Sequence, residues 1–124
     1  MSVVVLDPIE VQDYLQRRET SDASQYDEVW DGVTIVSPIA NDEHQEIATR
    51  LSGVFFITVD LSGLGKIRTG TNISDRDADW MRNYRVPDVA VFLQDTAARN
   101  LGTHWVGGPD FAVEIISSHD WTRR

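Results

Sequence analysis

Two carboxylates in this 124-residue chain lie next to or within strongly apolar segments of the sequence. Asp88 directly precedes the apolar run at residues 89–92, and Glu114 lies inside another at residues 111–116. A carboxylate in such a setting is costly unless it binds a cation, pairs with a base or accepts hydrogen bonds. The two are 26 positions apart, a normal separation for neighbouring strands joined by a loop. If they meet in space, their oxygens would suit Mg²⁺ or Mn²⁺.

Glu43 and His44 form a second candidate group at the start of a predicted helix. They would reach the same site if that helix packs on the sheet that carries the two carboxylates. The alternative is that Asp88 and Glu114 point to solvent from half-exposed strands. Glu43 and His44 would then lie on a solvated helix face. Residue spacing alone leaves both interpretations open.

Other familiar sites have weaker support in this sequence. The alternating aspartates at residues 75–79 resemble the start of a calcium loop, but the required glycine and terminal glutamate are missing. The serines at 117–118 lack the Gly-x-Ser-x-Gly elbow of a hydrolase. The glycines at 63 and 65 lack the rest of a phosphate-binding loop. The carboxylates and the Glu-His pair therefore remain the leading candidates.

The elements that must position these residues follow from turn residues and hydrophobic periodicity. Asp31-Gly32 between β-forming residues predicts a β-hairpin over residues 26–38. Asn41 or Asp42 can cap a helix over residues 41–59. The polar stretch at residues 74–83 is predicted as a loop. The remaining predicted elements are an N-terminal helix at residues 8–18 and strands at residues 66–73, 85–93 and 111–117.

Charge and composition limit the partners that we expect. The net charge is −9, from 20 acidic and 11 basic residues, and Lys66 is the only lysine. This excess of acidic residues argues against a broad basic surface that binds nucleic acid. An enzyme can still bind nucleic acid through a bound metal ion. The absence of cysteine excludes disulfides and thiolate ligands. We find no apolar run of about 18 residues and no signal-peptide pattern, so we expect no membrane span and a cytoplasmic protein.

Five motifs in a fixed order resemble those of one bacterial family. They are Tyr-Asp-Glu-Val-Trp-Asp-Gly at residues 26–32, Ser-Pro at 37–38, Glu-His at 43–44, Arg-Val-Pro-Asp-Val-Ala at 85–90 and Pro-Asp-Phe-Ala-Val-Glu-Ile-Ile-Ser at 109–117. In order and spacing they resemble the Uma family of restriction-endonuclease-like proteins. The resemblance covers roughly residues 26–120, nearly the whole chain.

The resemblance implies a PD-(D/E)xK nuclease-like fold. This is an α+β (α/β) fold with a restriction-endonuclease-like mixed β-sheet core flanked by helices, here with an N-terminal helix and a β-hairpin. It implies that Asp88 and Glu114 are catalytic metal ligands for Mg²⁺ or Mn²⁺ and that Glu43 and His44 line the site. The implied substrate is nucleic acid, with DNA expected, and the reaction is phosphodiester hydrolysis.

The sequence departs from the nuclease pattern at one catalytic position. The lysine expected two residues after Glu114 is replaced by Ile116, and nothing places Lys66 at the site. Arg123 and Arg124 are the candidates for a replacement cation, and arginine stabilises phosphate charge without acting as a base. The alternative function is therefore a non-catalytic, nuclease-like scaffold for binding or dimerisation.

The length suggests one domain, at residues 1–124, that lacks its last elements. Members of the family continue with a further helix and strands, whereas this chain stops near the expected start of that helix. A fold shortened in this way would leave a sheet edge or apolar face exposed, which favours a homodimer.

Overall fold

The computed structural model describes residues 3–4, 26–37 and 40–116. Within these ranges the chain forms two β-sheets and one 19-residue helix. This mixed α+β architecture confirms the predicted fold class in its coarse form. The predicted N-terminal helix at residues 8–18 lies outside the described residues. Within the described ranges, no helix is both long enough and apolar enough to cross a membrane.

The ten strands of the described residues are short, and a single helix separates β3 from β4 in the sequence. In chain order the elements are β1 (Val3–Val4), β2 (Glu28–Trp30), β3 (Val33–Val36), α1 (Asp42–Phe55) with a π-helical extension (Phe56–Asp60), β4 (Gly65–Thr69), β5 (Ile73–Ser74), β6 (Tyr84–Arg85), β7 (Val89–Leu93), β8 (Arg99–Asn100), β9 (Trp105–Val106) and β10 (Phe111–Val113). A 3₁₀ turn, Trp80–Arg82, interrupts the predicted loop at residues 74–83.

The strands form a larger mixed sheet and a smaller antiparallel one. The larger sheet has six strands in the order β3-β2-β6-β5-β9-β8, with β1 added at the β3 edge. Adjacent strands in this sheet are antiparallel, except that β5 and β9 are parallel. The smaller sheet has the order β10-β7-β4, so β7 is its central strand.

The predicted hairpin is confirmed as β2 and β3. Asp31 and Gly32 both have positive φ angles, of 49° and 85°. Two consecutive positive φ values define the type I′ turn, whose twist matches that of paired strands. The turn fixes the register in which Trp30 faces Val33.

The predicted central helix is also confirmed. The Asn41 side chain caps it by accepting a hydrogen bond from the His44 backbone N–H at 2.8 Å. The helix contacts the smaller sheet through Phe55, whose ring meets that of Phe111 edge to face at 5.8 Å. No residue of α1 is fully buried, and Val54 and Ile57 are 57% and 64% exposed.

The main core lies between the two sheets, on the face of β7 away from the helix. Phe92 stacks on Trp105 with ring centroids 3.7 Å apart. Ile73, Ala90 and Ala98 complete this cluster. The core therefore joins β7 to the larger sheet, while the helix covers the opposite face of β7.

The prediction of one strand over residues 66–73 is wrong in its extent. The strand β4 ends at Thr69, and Gly70 has a φ of +58°. Glycine adopts this left-handed conformation without the steric cost of a Cβ atom, so the chain can turn sharply there. Ile73 and Ser74 then pair in the larger sheet rather than with β7.

The predicted strand at residues 85–93 is divided between the two sheets. Tyr84 and Arg85 belong to the larger sheet, whereas Val89 begins the central strand of the smaller one. Pro87 lies between them and has no N–H to donate to a strand ladder. The chain therefore changes sheets immediately before Asp88.

The last predicted strand, at residues 111–117, is shorter and more exposed than its sequence suggests. The observed β10 ends at Val113, so Glu114 follows the strand rather than lying inside it. Since β10 pairs only with β7 among the described strands, it forms an edge of the smaller sheet. Phe111 is accordingly 53% exposed.

Candidate active site

The strand register of the smaller sheet brings Asp88 and Glu114 together. Val113 is the cross-strand partner of Val89 in the antiparallel pair β10 and β7. Glu114 and Asp88 are the next residues of the two segments beyond this pair, and their carboxylates interact. The Ile115 backbone N–H donates a hydrogen bond to Asp88 Oδ2 at 2.7 Å, which holds the two segments together beyond the ladder.

The proximity of these carboxylates changes the acidity of Glu114. Its pKa is raised from 4.5 to about 7 by desolvation first, then by the negative charges of Asp88 and Glu28, and by a hydrogen bond with Asp88. Glu114 as a whole residue is exposed, so the desolvation is local to the side that faces the other carboxylates. With a pKa of about 7, Glu114 is protonated in only part of the molecules at neutral pH, and a bound cation would favour its charged form.

His44 approaches the same pair from the first turn of α1. Its Nε2 atom lies 3.2 Å from Asp88 Oδ1, and the two side chains are 15% and 11% exposed. The Asn41 cap fixes the backbone of His44 at this position. Among the described residues, the buried Nδ1 atom of His44 has no hydrogen-bond partner. The Asp88 carboxylate is thus held by a backbone N–H on one oxygen and an imidazole on the other.

Glu28 is a site residue to which the sequence interpretation gave no role. It is 8% exposed at the start of β2. Its Oε1 accepts a hydrogen bond from Trp30 Nε1 at 2.9 Å, and its Oε2 accepts one from the Val86 backbone N–H at 2.7 Å. Its charge contributes to the raised pKa of Glu114. The available signal was its place in the motif at residues 26–32, but only the folded chain shows that this carboxylate turns inward.

The other predicted residues do not join this group by any observed contact. Glu43 is exposed, and its side chain makes no hydrogen bond or ion pair among the described residues. Lys66 is exposed on β4, where it faces Phe92. Ile116, at the position of the usual lysine, is 58% exposed. Arg123 and Arg124 lie outside the described residues, so their role remains a prediction.

The donor set fits a divalent cation that retains much of its water. In the described part of the chain, no three His, Asp or Glu side chains are grouped as metal ligands. Mg²⁺, however, is commonly held by one or two carboxylates together with several waters. Asp88 and Glu114 provide such a carboxylate pair, and a cation there would offset the repulsion between their charges, which raises the pKa of Glu114 in addition to desolvation.

Comparison with known proteins agrees with the family resemblance of the motifs. No curated protein and no solved structure gives a significant match to the chain. One family model, described as "Uma2: Putative restriction endonuclease", matches residues 11–124. This match includes the hairpin, the helix and both carboxylate-bearing segments. The chain therefore belongs to the Uma2 family.

Proposed function

We propose that this protein is a Mg²⁺- or Mn²⁺-dependent endonuclease that hydrolyses phosphodiester bonds in DNA. The observation that carries the proposal is the pairing of Asp88 with Glu114 at the junction of β7 and β10. Family membership supports the reaction class, because the family is described by its relation to restriction endonucleases. The raised pKa of Glu114 supports a cation as the partner that the pair lacks.

Each residue of the group would have a distinct task. Asp88 and Glu114 would hold the cation, which supplies Lewis-acid stabilisation of phosphate charge and an activated water. His44 and the Ile115 N–H would orient the Asp88 carboxylate through the contacts at 3.2 and 2.7 Å. Glu28 would keep the segment before Asp88 in place by binding the Val86 N–H.

A DNA-nicking assay with supercoiled plasmid and Mn²⁺ tests the proposal. We expect cleavage by the wild type and a loss of at least about a hundredfold in Asp88→Asn and Glu114→Gln, since each removes a charged ligand. The exposed turn residue Asp95 provides a matched control, because Asp95→Asn makes the same charge change outside the group. Equal nicking by all four proteins would reject the proposed site.

A second candidate is a nuclease-like scaffold that binds without cleaving. The observation that favours it is the isoleucine at position 116, where nucleases of this type carry lysine. The exposed edge strand β10 and the exposed apolar residues of α1 would suit self-association. Metal binding without any cleavage, together with a dimeric mass in light scattering, would support this alternative over the nuclease.

A further inference from the structure

The exposed side chain of Arg85 makes several contacts with its neighbours. Its guanidinium carbon lies 4.4 Å from the centroid of the Trp30 ring. Its Nη1 atom donates hydrogen bonds to Val29 O at 3.2 Å, Asn83 Oδ1 at 3.1 Å and Tyr84 O at 3.4 Å. The ring and the acceptors contact one side of the guanidinium and favour this orientation before any ligand binds.

The positive charge of Arg85 is not paired with a carboxylate among the described residues. Arg50 and Arg76 differ in this respect, since they pair with Glu46 at 3.2 Å and with Asp75 at 2.8 Å. Arg68, Arg82 and Arg99 also have no carboxylate partner among the described residues, so the Trp30 contact is what distinguishes Arg85. Its Nε and Nη2 donors have no partner in the described part of the chain and remain available for a planar anion such as phosphate.

Arg85 also lies close to the candidate active site. Only two residues separate it from Asp88, so their Cα atoms are at most about 11 Å apart. Glu28 links the two places, because its carboxylate accepts hydrogen bonds from Trp30 and Val86 and its charge acts on Glu114. Arg85 of the Trp30–Arg85 pair therefore lies on the same chain segment as Asp88.

We infer that Arg85 binds a phosphate of the DNA strand, within about three nucleotides of the bond positioned at Asp88 and Glu114. The spacing follows from the rise of about 3.4 Å per nucleotide along one strand. Trp30 is a positioning residue that holds the guanidinium through its ring. The inference rests on the proposed function for the identity of the ligand.

The alternative is that the Trp30–Arg85 pair only stabilises the larger sheet. Cation–π pairs on protein surfaces do stabilise folds, so a change in melting temperature alone would not separate the two roles. The salt dependence of DNA binding does separate them. Each phosphate contact releases counterions and adds about 0.9 to the slope of log K against log salt for duplex DNA, and about 0.7 for a single strand.

Fluorescence anisotropy with a short labelled DNA, as duplex and as single strand, tests the inference without requiring cleavage. Binding is measured over a range of NaCl concentrations, in EDTA and again in Ca²⁺. We expect Arg85→Gln to weaken binding about tenfold and to lower the salt slope by about 0.7 to 0.9. Arg85→Lys should keep the slope, and Trp30→Leu should weaken binding with a smaller change in slope. Arg99→Gln, an exposed arginine on β8, is the matched control.

The outcomes distinguish this inference from the proposed nuclease activity. An unchanged slope in Arg85→Gln, a similar loss of slope in Arg99→Gln, or no binding of either DNA by the wild type would each overturn the phosphate contact. If Arg85→Gln alone lowers the slope while no condition gives cleavage, the phosphate contact stands and the nuclease proposal fails. If DNA is cleaved but the slope is unchanged, the nuclease proposal stands and the role of Arg85 is wrong.

Discussion

Glu114 lies one residue beyond the last cross-strand pair of β10 and β7, and its carboxylate is close enough to that of Asp88 for the two charges to interact. Val113 and Val89 are the last paired residues of the two strands. Beyond them, the Ile115 backbone N–H donates a hydrogen bond to Asp88 Oδ2 at 2.7 Å. Like charges at opposed positions of an antiparallel pair are destabilising. The fold keeps them adjacent nonetheless. Desolvation raises the pKa of Glu114 to about 7, and the charge of Asp88 adds to this rise.

Divalent metal should stabilise the folded protein. At a concentration about 100-fold above Kd, a ligand that binds only the folded state adds about 2.7 kcal/mol to the free energy of unfolding. We expect Mg²⁺ or Mn²⁺ to raise the melting temperature of the wild type but not of Asp88→Asn or Glu114→Gln. Differential scanning fluorimetry with and without metal measures this effect. Asp95→Asn should respond like the wild type, and identical shifts in all variants would exclude Asp88 and Glu114 as ligands.

The contact between His44 and Asp88 should appear as an energetic coupling. Both side chains are largely buried, so removing one partner leaves the other unsatisfied. A double-mutant cycle with His44→Ala and Asp88→Ala should give a coupling energy of about 1–3 kcal/mol in urea unfolding. The exposed pair Glu46 and Arg50 is the reference, for which we expect about 0.3–0.5 kcal/mol. Equal coupling in the two cycles would show that the His44 contact contributes nothing specific.

The metal-free protein should lose stability as the pH rises through neutrality. The pKa of Glu114 is higher in the folded state, at about 7, than its ordinary value of 4.5. Its contribution to stability is therefore fully present below about pH 4.5 and lost as the pH rises through 7. Urea unfolding in EDTA across this range measures the decline, and Glu114→Gln should flatten it. The lowered pKa of Asp75, about 2, acts in a separate acidic range. A decline of equal size in Glu114→Gln would assign it to another group.

Phe92 should be the most costly side chain to truncate in the core. It is 1% exposed and stacks on Trp105 between the two sheets. Phe92→Ala removes a large buried ring and should lower the free energy of unfolding by about 3–5 kcal/mol. Leu93, the next residue on the same strand, is 39% exposed, so Leu93→Ala should cost distinctly less in the same denaturant titration. Comparable losses would mean that β7 is not packed between two layers.

Local signals in the sequence predicted the elements that depend on local chemistry. Asp31-Gly32 predicted a hairpin because few residue pairs accept two positive φ angles, and the angles of 49° and 85° agree. Asn41 or Asp42 was predicted to cap the helix because either side chain can accept a backbone N–H, and the 2.8 Å bond from His44 assigns the cap to Asn41. The same approach failed at residues 66–73 and 85–93, where each apolar run is divided between two sheets. The hydrophobic pattern predicts that a residue is buried, but it does not predict which of the two sheets the residue joins.

The sequence by itself determined the motif order, the family and the pair of carboxylates beside apolar strands. The tertiary structure decided which residues meet. The β10–β7 register aligned Glu114 with Asp88, the docking of α1 brought His44 to Asp88, and the β2–β6 pairing placed Arg85 over Trp30. Each of these relations joins residues that are between 26 and 55 positions apart in sequence. Such contacts depend on strand register and layer packing, which no local propensity specifies.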